Sequence, residues 1–311
     1  MRDGQHAPLF GRVAIIGLGL MGGSLGLALR ADGSAGEPLA REVVGYDSAP
    51  GVAQRAVARG ALDSSCESLA EAVTAADLVV IATPTLAAEQ TLRAAATHLA
   101  PDVVVTDLCS VKAPLVAVAS QALRRPERFV GGHPMAGRER AGIEAASADL
   151  YRGARWALTP TPQTAPDAVS RLRALVEALG AEPLELDAVA HDAAVAGISH
   201  LPLTLAVALA QMLAEADDWP TMALLAAGGY RDTTRVAAGD PIMGRDILLA
   251  NREALLARLD AFAGTLGRLR AAIARGDAVE IETTLREARV TRQAWETSRQ
   301  QPGAEHDSRG L

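Results

Sequence analysis

Short apolar runs alternate with stretches of helical periodicity over the first 187 residues of the chain. Six runs have the length of buried strands: residues 13–16, 43–46, 78–82, 103–106, 129–131 and 156–159. Six stretches between or after them repeat their apolar positions as a helix does: residues 22–31, 51–60, 68–75, 87–98, 111–123 and 166–179. Alternation of this kind predicts crossover units around a mostly parallel sheet.

From residue 188 onward the strand pattern is absent and the sequence predicts helices only. These helices occupy residues 190–216, 220–227, 242–275 and 278–300. They are apolar on more than one face, which is typical of helices that are buried, here in a dimer interface. We therefore predict an α/β domain over residues 1–187, an all-α dimerisation domain over residues 188–300 and a disordered tail over residues 301–311.

Composition narrows the classes of protein to consider. Of the 311 residues 49% are hydrophobic and 22% are charged, as in an ordinary soluble globular protein. The net charge of -7 and the lack of a Lys/Arg run argue against nucleic-acid binding. No stretch reaches about 18 uninterrupted apolar residues, so we predict no membrane span. Two cysteines are too few for a disulfide scaffold and indicate reduced thiols in a cytoplasmic protein.

A glycine motif follows the first predicted strand directly. It consists of Gly17, Leu18, Gly19, Leu20, Met21 and Gly22, and it fits G-x-G-x-x-G. Gly17 allows a tight turn, Gly19 lets a pyrophosphate approach the backbone, and Gly22 lets the helix pack close to the strand. The N–H groups at the start of the helix predicted over residues 22–31 would face the phosphates, and Leu20 and Met21 are predicted cofactor contacts. The motif therefore predicts a Rossmann-like dinucleotide-binding domain.

Residues at the ends of two further strands suggest which dinucleotide binds. Asp47 ends the second predicted strand, where a carboxylate would bind the ribose hydroxyls. No Arg follows it to neutralise a 2′-phosphate, so the sequence favours NAD over NADP. Thr83 and Pro84 follow the third strand, where they are either cofactor contacts or an ordinary loop. We predict no metal site.

Oxidation of a hydroxyl requires a base, and His133 is the candidate among the six histidines. It lies between Gly132 and Pro134 in a predicted loop after a short strand. The glycines around it suggest close approach by a ligand, although His133 could equally hold the loop together. Ser110 is either the N-cap of the next helix or a hydroxyl directed at the substrate or His133.

Two candidates lie in the predicted helical half. His200 starts a long predicted buried helix, and a core histidine is its default interpretation. Arg235 stands in a Thr-rich segment near the domain junction, where a guanidinium could bind a carboxylate through two hydrogen bonds. An ion pair with Asp232 or Asp240 is the alternative for this arginine.

Several of these segments in combination resemble the prephenate and arogenate dehydrogenases of tyrosine biosynthesis. The resemblance covers residues 12–299 and rests on five segments: residues 17–24, Asp107 with residues 110–112, residues 133–137, residues 199–202, and residues 231–235 with 240–243. It implies a nucleotide-binding domain, a helical dimerisation domain and a homodimer. It also implies NAD-dependent oxidative decarboxylation, in which hydride and carbon dioxide leave a ring that becomes aromatic.

The resemblance also assigns roles to residues. His133 would accept the proton of the substrate hydroxyl, and Ser110 would orient His133 or that hydroxyl. Arg235 would bind a substrate carboxylate, and Glu139 would lie at the mouth of the pocket. Ser199, His200 and Asp232 belong to the matching segments and are expected to bind substrate.

Two positions depart from the family pattern. Leu203 stands where members often have a second His, and Gly244 stands where many have Trp. Prephenate, arogenate and a 4-amino-4-deoxy analogue therefore all stay open as substrates. A β-hydroxyacid dehydrogenase or imine reductase is the alternative enzyme class, but it commonly uses a Lys in the helical half, whereas Lys112 is the chain's only lysine. An NAD-sensing regulator would not need the histidine and arginine segments.

Overall fold

The computed structural model describes residues 8–31, 38–137 and 140–300. The chain divides into two compact units, Met1–Leu255 and Leu256–Leu311. The predicted boundary at residue 187 marks instead the change from mixed to helical secondary structure within the first unit. The predicted tail over residues 301–311 lies outside the described residues.

One eight-stranded sheet organises the first unit. Its strands are β1 (Phe10–Ile16), β2 (Ala40–Tyr46), β3 (Ser64–Ser65), β4 (Leu78–Ile81), β5 (Val104–Asp107), β6 (Phe129–Pro134), β7 (Arg155–Thr159) and β8 (Glu182–Glu185). They lie in the order β3-β2-β1-β4-β5-β6-β7-β8. Strands β1 to β6 are mutually parallel, whereas β7 runs antiparallel to β6 and parallel to β8. The prediction of a mostly parallel sheet is confirmed.

Helices cover both faces of this sheet. They are α1 (Leu20–Arg30), α2 (Val52–Ala58), α3 (Leu69–Val73), α4 (Thr85–Ala95), α5 (Ala113–Ala122) and α6 (Pro166–Ala178). Successive side chains of β1 alternate between two cores: Val13 and Ile15 pack with α1, α2 and α6, whereas Ala14 and Ile16 pack with α3, α4 and α5. Because both faces are buried, the central strands are continuously apolar.

The order of the strands reverses between β1 and β4. Crossover connections therefore leave to opposite faces at this point, and a crevice opens at the carboxyl ends of the two strands. Gly17 follows β1 and Thr83 follows β4 at this edge. The fold thus brings the two predicted cofactor segments to one place.

From the end of β8 to residue 300, where the description ends, the regular elements are all helical. They are α7 (Ala188–Val195), a π-helical turn (Ala196–His200), α8 (Leu201–Ala214), α9 (Trp219–Leu225), α10 (Gly228–Thr234), a 3-10 turn (Arg235–Ala238), α11 (Pro241–Ala250), α12 (Arg252–Arg275) and α13 (Ala278–Gln300). The predicted single helix over residues 242–275 is broken at Asn251. Helix α10 was not predicted, because it begins with two glycines and glycine disfavours the helical conformation.

The continuous helical stretch Ala188–Ala214 is, within the described residues, long and apolar enough to cross a membrane, with 27 residues and a mean hydropathy of 1.8. Length and composition alone give this result, and a core helix of a soluble protein passes the same test. In the single chain Ala206 is the one buried residue of α8, and the burial of this helix in a dimer interface stays a prediction. Its end nearest the sheet is different, because His191 and His200 are buried there.

The segment after the 3-10 turn Ile143–Ala145 is fixed against the start of α1. The hydroxyl of Tyr151 donates a hydrogen bond to the carbonyl oxygen of Met21 at 2.6 Å, and the N–H of Ser147 donates to Ser24 Oγ at 3.0 Å. Burial raises the pKa of the Tyr151 phenol, so this group is a permanent donor. The segment that contains Ser147 and Tyr151 therefore holds helix α1, which begins within the glycine motif, in place.

We expect Tyr151→Phe to lower the free energy of unfolding by about 1 kcal/mol, because a buried hydrogen bond is lost while the ring stays. Urea denaturation followed by circular dichroism measures the change. Tyr46→Phe is the matched control, since within the described residues the Tyr46 hydroxyl forms no hydrogen bond. Equal effects of the two substitutions would mean that the bond to Met21 contributes nothing.

Candidate active site

Of the three glycines in the motif over residues 17–22, one borders space that a ligand could fill. A Cβ on Gly17, whose φ is +95°, would lie 2.7 Å from the carbonyl carbon of Ala82, and one on Gly22 would lie 1.9 Å from the oxygen of Gly17. A Cβ on Gly19 would meet nothing within 4 Å. Gly17 and Gly22 are therefore required by the protein itself. Gly19 borders open space, as expected for the glycine that a pyrophosphate approaches.

The start of α1 provides donors toward this space. Helix α1 begins at Leu20, its N-cap is Gly19, and no side chain caps it. The first N–H groups of an uncapped helix lack partners and carry the positive end of its dipole. The residues present therefore fit the phosphates of a dinucleotide.

Asp47 and Thr83 lie on either side of the glycine loop. The carboxylate of Asp47 accepts the N–H of Leu18 and the N–H of Ala49, both at 2.8 Å, and it retains lone pairs for further donors. The hydroxyl of Thr83 is buried and has no hydrogen-bond partner in the described part of the chain, so a ligand could satisfy it. Pro84 is the N-cap of α4. These positions fit the predicted cofactor contacts.

His133 lies within strand β6, where it pairs with Ala157 of β7. The prediction that it lies in a loop is wrong. The glycines before it are required because neighbouring strands approach them closely, and not because a ligand does. A Cβ on Gly131 would lie 2.4 Å from Thr159 Oγ1, and one on Gly132 would lie 2.6 Å from the oxygen of Asp107. The strand holds the histidine at the carboxyl end of the parallel part of the sheet, where it is 9% exposed.

A chain of hydrogen bonds joins His133 to α7. Nδ1 of His133 lies 2.9 Å from Nε2 of His191, and Nδ1 of His191 lies 2.8 Å from Oδ1 of Asp192. The two imidazole rings meet edge to face, with centroids 5.1 Å apart. Both residues of α7 are buried. Neither was predicted as a site residue, although adjacent ionisable residues in an apolar helix are a signal that could have identified them.

Asp192 also caps helix α5. Its two carboxylate oxygens accept the N–H groups of Lys112 and Ala113, each at 2.8 Å. The prediction of Ser110 as the N-cap is wrong, because α5 starts later, at Ala113, and a distant carboxylate caps it. Ser110 is half-buried, and within the described residues no hydrogen bond joins it to His133.

A buried ion pair lies beside His133. Nζ of Lys112 pairs with Asp107 and donates to the carbonyl oxygen of Gly132 at 2.7 Å. Asp107 in turn accepts the N–H groups of Gly132 and Cys109 at 3.1 and 2.9 Å. Both side chains are fully buried. The pair ties β5 to β6 and places a positive charge near the imidazole.

Burial, and next the charge of Lys112, hold the pKa of His133 well below its ordinary value of 6.5. The charges of His191 and His200 act in the same direction. His133 is therefore neutral at neutral pH, which is the form that a base requires.

A third histidine, His200, lies next to the hydrogen-bonded chain of His133, His191 and Asp192. Asn251 Nδ2 donates to the carbonyl oxygen of Asp192 at 2.8 Å and to Nδ1 of His200 at 3.1 Å. Nδ1 of His200 is thus an acceptor, and its Nε2 carries the hydrogen. That nitrogen is buried, and none of the residues that the structure describes bonds to it. Burial lowers the pKa of His200 to about 4. The break between α11 and α12 is what allows Asn251 to reach both groups.

The remaining predicted substrate residues are more exposed. Ser199 is exposed in the π turn, and Arg235 is exposed at the start of the 3-10 turn. Asp232 is exposed and pairs with Arg231 at 2.9 Å. Glu139 lies outside the described residues. The two departures from the family pattern are neighbours, since a Cβ on Gly244 would lie 3.9 Å from Leu203 Cδ2.

The fold and the glycine motif together are those of a dinucleotide-dependent dehydrogenase. Sequence models described as prephenate dehydrogenase, nucleotide-binding domain, and prephenate dehydrogenase, dimerization domain, match residues 25–184 and 187–287. The prephenate dehydrogenase of Bacillus subtilis is 34% identical over 271 residues, which are 86% of this chain and 71% of that protein. The chain therefore belongs to the prephenate dehydrogenase family, as its sequence predicted.

Solved structures agree with this assignment. Prephenate dehydrogenase from Aquifex aeolicus, in complex with hydroxyphenyl propionate and NAD+, is 32% identical with a TM-score of 0.83, and the match covers 91% of this chain and 98% of that one. Synechocystis arogenate dehydrogenase is also 32% identical, with a TM-score of 0.78 and coverage of 91% and 99%. The predicted α/β domain followed by helices is confirmed.

The geometry of the glycine loop separates two substitutions. We expect Gly19→Ala to fold with a loss of less than about 1 kcal/mol but to weaken NAD binding about tenfold or more, a cost of about 1.4 kcal/mol. Gly22→Ala is expected to lower stability by about 1–3 kcal/mol, because the added Cβ meets backbone. Calorimetric NAD titration and thermal unfolding of both variants measure this. Unchanged NAD affinity in Gly19→Ala would place the pyrophosphate elsewhere.

Proposed function

We propose that this protein is an NAD-dependent dehydrogenase that oxidatively decarboxylates prephenate to 4-hydroxyphenylpyruvate in tyrosine biosynthesis. Membership of the prephenate dehydrogenase family and the fit of the glycine loop to a dinucleotide support the reaction class. The observation that carries the proposal is the buried histidine His133, held neutral at the carboxyl edge of the nucleotide-binding sheet.

His133 is the base of the proposed reaction. Its imidazole takes the proton from the hydroxyl of the substrate ring, so that the oxygen can become a carbonyl. When bound, the nicotinamide of NAD accepts the hydride that leaves the same carbon. Loss of carbon dioxide then returns an electron pair to the ring, and His133 returns its proton to the phenolate oxygen. Aromatisation supplies driving force, so the protein mainly positions groups and moves one proton.

Substrate binding is assigned to further residues of the chain. The buried Nε2–H of His200 has no partner among the described residues, so it is available to donate to the substrate. The guanidinium of Arg235 is proposed to bind a substrate carboxylate. Ser110 is proposed to orient the substrate hydroxyl or His133, and Glu139 to lie at the pocket mouth. Ser199 and Asp232 complete the proposed substrate residues.

Arogenate and 4-amino-4-deoxyprephenate are the alternative substrates. The two solved structures, the prephenate dehydrogenase of Aquifex aeolicus and the arogenate dehydrogenase of Synechocystis, are each 32% identical to this chain. The neighbouring Leu203 and Gly244 lack the bulk and hydrogen-bonding groups that many members have there. A β-hydroxyacid dehydrogenase is the weaker alternative, because the chain's only lysine, Lys112, is buried against Asp107.

We propose that the protein is a cytoplasmic homodimer that forms through its helical part. The second family model, that of a dimerization domain, covers residues 187–287. Large apolar side chains in this region are exposed in the single chain, among them Val207, Met212, Leu224 and Leu225. A second copy that packs on such side chains would remove them from water.

Purified protein mixed with NAD and prephenate is expected to produce reduced cofactor and carbon dioxide in equal amounts. Arogenate and 4-amino-4-deoxyprephenate are assayed in parallel, and the highest kcat/KM identifies the substrate. His133→Asn should lower kcat by about 10²–10⁴-fold while NAD affinity is kept. Turnover of none of the three compounds would contradict the proposed reaction, and full activity of His133→Asn would remove the histidine from it.

Arg235→Ala is expected to raise KM for the substrate about 10- to 100-fold, equivalent to the loss of a charged hydrogen bond of about 1.5–3 kcal/mol. NAD affinity should stay unchanged because the cofactor binds at the other segments. Arg286→Ala is the matched control, since Arg286 is exposed and pairs with Glu282 on α13, where no site residue is proposed. Steady-state kinetics measure both variants, and an unchanged KM in Arg235→Ala would favour a structural ion pair instead.

A further inference from the structure

We infer that His191 and Asp192 set the tautomer of His133, so that Nε2 of His133 is the nitrogen that accepts the substrate proton. The inference rests on the proposed role of His133 as base and assigns His191 as a positioning residue for it. The observation behind it is the buried chain of hydrogen bonds from His133 through His191 to Asp192.

The direction of this chain is fixed at its Asp192 end. Both carboxylate oxygens already accept backbone N–H groups at the start of α5, and the helix dipole favours a negative charge there. An ionised carboxylate can only accept. Nδ1 of His191 must therefore donate, and it carries the hydrogen of this ring.

The tautomer of His133 follows from that of His191. A neutral imidazole with its hydrogen on Nδ1 has a lone pair on Nε2. Nε2 of His191 thus accepts from Nδ1 of His133 at 2.9 Å. The hydrogen of His133 is then on Nδ1, and its Nε2 is left with a lone pair. His133, His191 and Asp192 are at most 9% exposed, so water has little access to replace either bond.

With its lone pair on Nε2, His133 can accept the substrate proton. The O–H bond of the substrate breaks, an N–H bond forms at Nε2 of His133, and the imidazolium keeps its Nδ1–H bond to His191. The carboxylate of Asp192, which contacts His191, attracts this positive charge, whereas the charge of Lys112 disfavours it. In the other tautomer Nε2 would carry a hydrogen and could not accept the proton.

Two substitutions of His191 separate positioning from packing. Gln can present its amide oxygen near the place of Nε2 and so accept from His133, whereas Phe keeps the ring shape without an acceptor. We expect His191→Phe to lower kcat about 100-fold, within the range that a base contributes, with KM and NAD affinity changed less than threefold. His191→Gln should keep at least tenfold more kcat than His191→Phe. A packing role would reverse that order and overturn the inference.

A measurement without turnover tests the tautomer directly. Protein labelled with 15N-histidine is compared with His133→Asn, which identifies the ring nitrogens of His133. We expect protonated Nδ1 and unprotonated Nε2 in the parent and a shift toward the other tautomer in His191→Phe. A protonated Nε2 in the active parent would overturn the inference, even if the variants of His191 fail to fold.

The two readouts also keep this inference apart from the proposed function. If none of the three substrates turns over while Nδ1 of His133 carries the hydrogen, the reaction is wrong and the tautomer assignment stands. In an active enzyme, His191→Phe should add less than threefold loss in the His133→Asn background, because residues that act through one group are not additive. A full additional loss there would show that His191 acts on its own.

Discussion

The carboxylate of Asp192 at the start of α5 is the contact on which the arrangement of the site depends. It lies 80 positions along the chain from Lys112, whose N–H it accepts. The first N–H groups of α5 would otherwise lack partners beside the sheet edge. Because the same side chain binds His191, one contact fixes α7 to the sheet and the imidazole of His191 to that of His133. A buried carboxylate is costly unless it is fully hydrogen-bonded, and here the bonds that satisfy it also build the site.

The buried pair of Lys112 and Asp107 is the second contact that shapes the surroundings of His133. A buried ion pair is weak as a source of stability, since desolvation offsets the attraction of the charges. Its effect here is on geometry and charge. It joins β5 to β6 through Gly132, and its cation lowers the pKa of His133. A neutral imidazole between this cation and the Asp192 carboxylate can gain a proton during the reaction and lose it again.

Local patterns predicted most of the fold. The apolar runs gave β1, β2, β4, β5 and β7, and the glycine motif located the start of α1, because strand length, periodicity and tight turns are encoded by neighbouring residues. Strand β3 has two residues and β8 is polar, so neither has such a pattern. His133 was expected in a loop because Gly131 and Gly132 look like loop residues. Glycine is required at these two positions because neighbouring strands pack closely against them, and this packing is visible only in the assembled sheet. The contacts among His133, His191, Asp192, His200 and Asn251 span 51 to 59 positions between segments, so no local pattern shows that these side chains meet.

The stretch from α7 through α8 links the site to the proposed homodimer. Its first part holds His191, Asp192 and His200, all buried, and its second part presents a largely exposed apolar surface. The π turn Ala196–His200 lies between them, just before Pro202, whose ring cannot donate a helical hydrogen bond. π turns inside helices are found most often at functional sites, and this one leaves Ser199 exposed while His200 is buried. Since one helical stretch carries both regions, a partner chain packed on α8 would restrain the segment that positions His133. Dimer formation and proton transfer would then depend on the same piece of the chain.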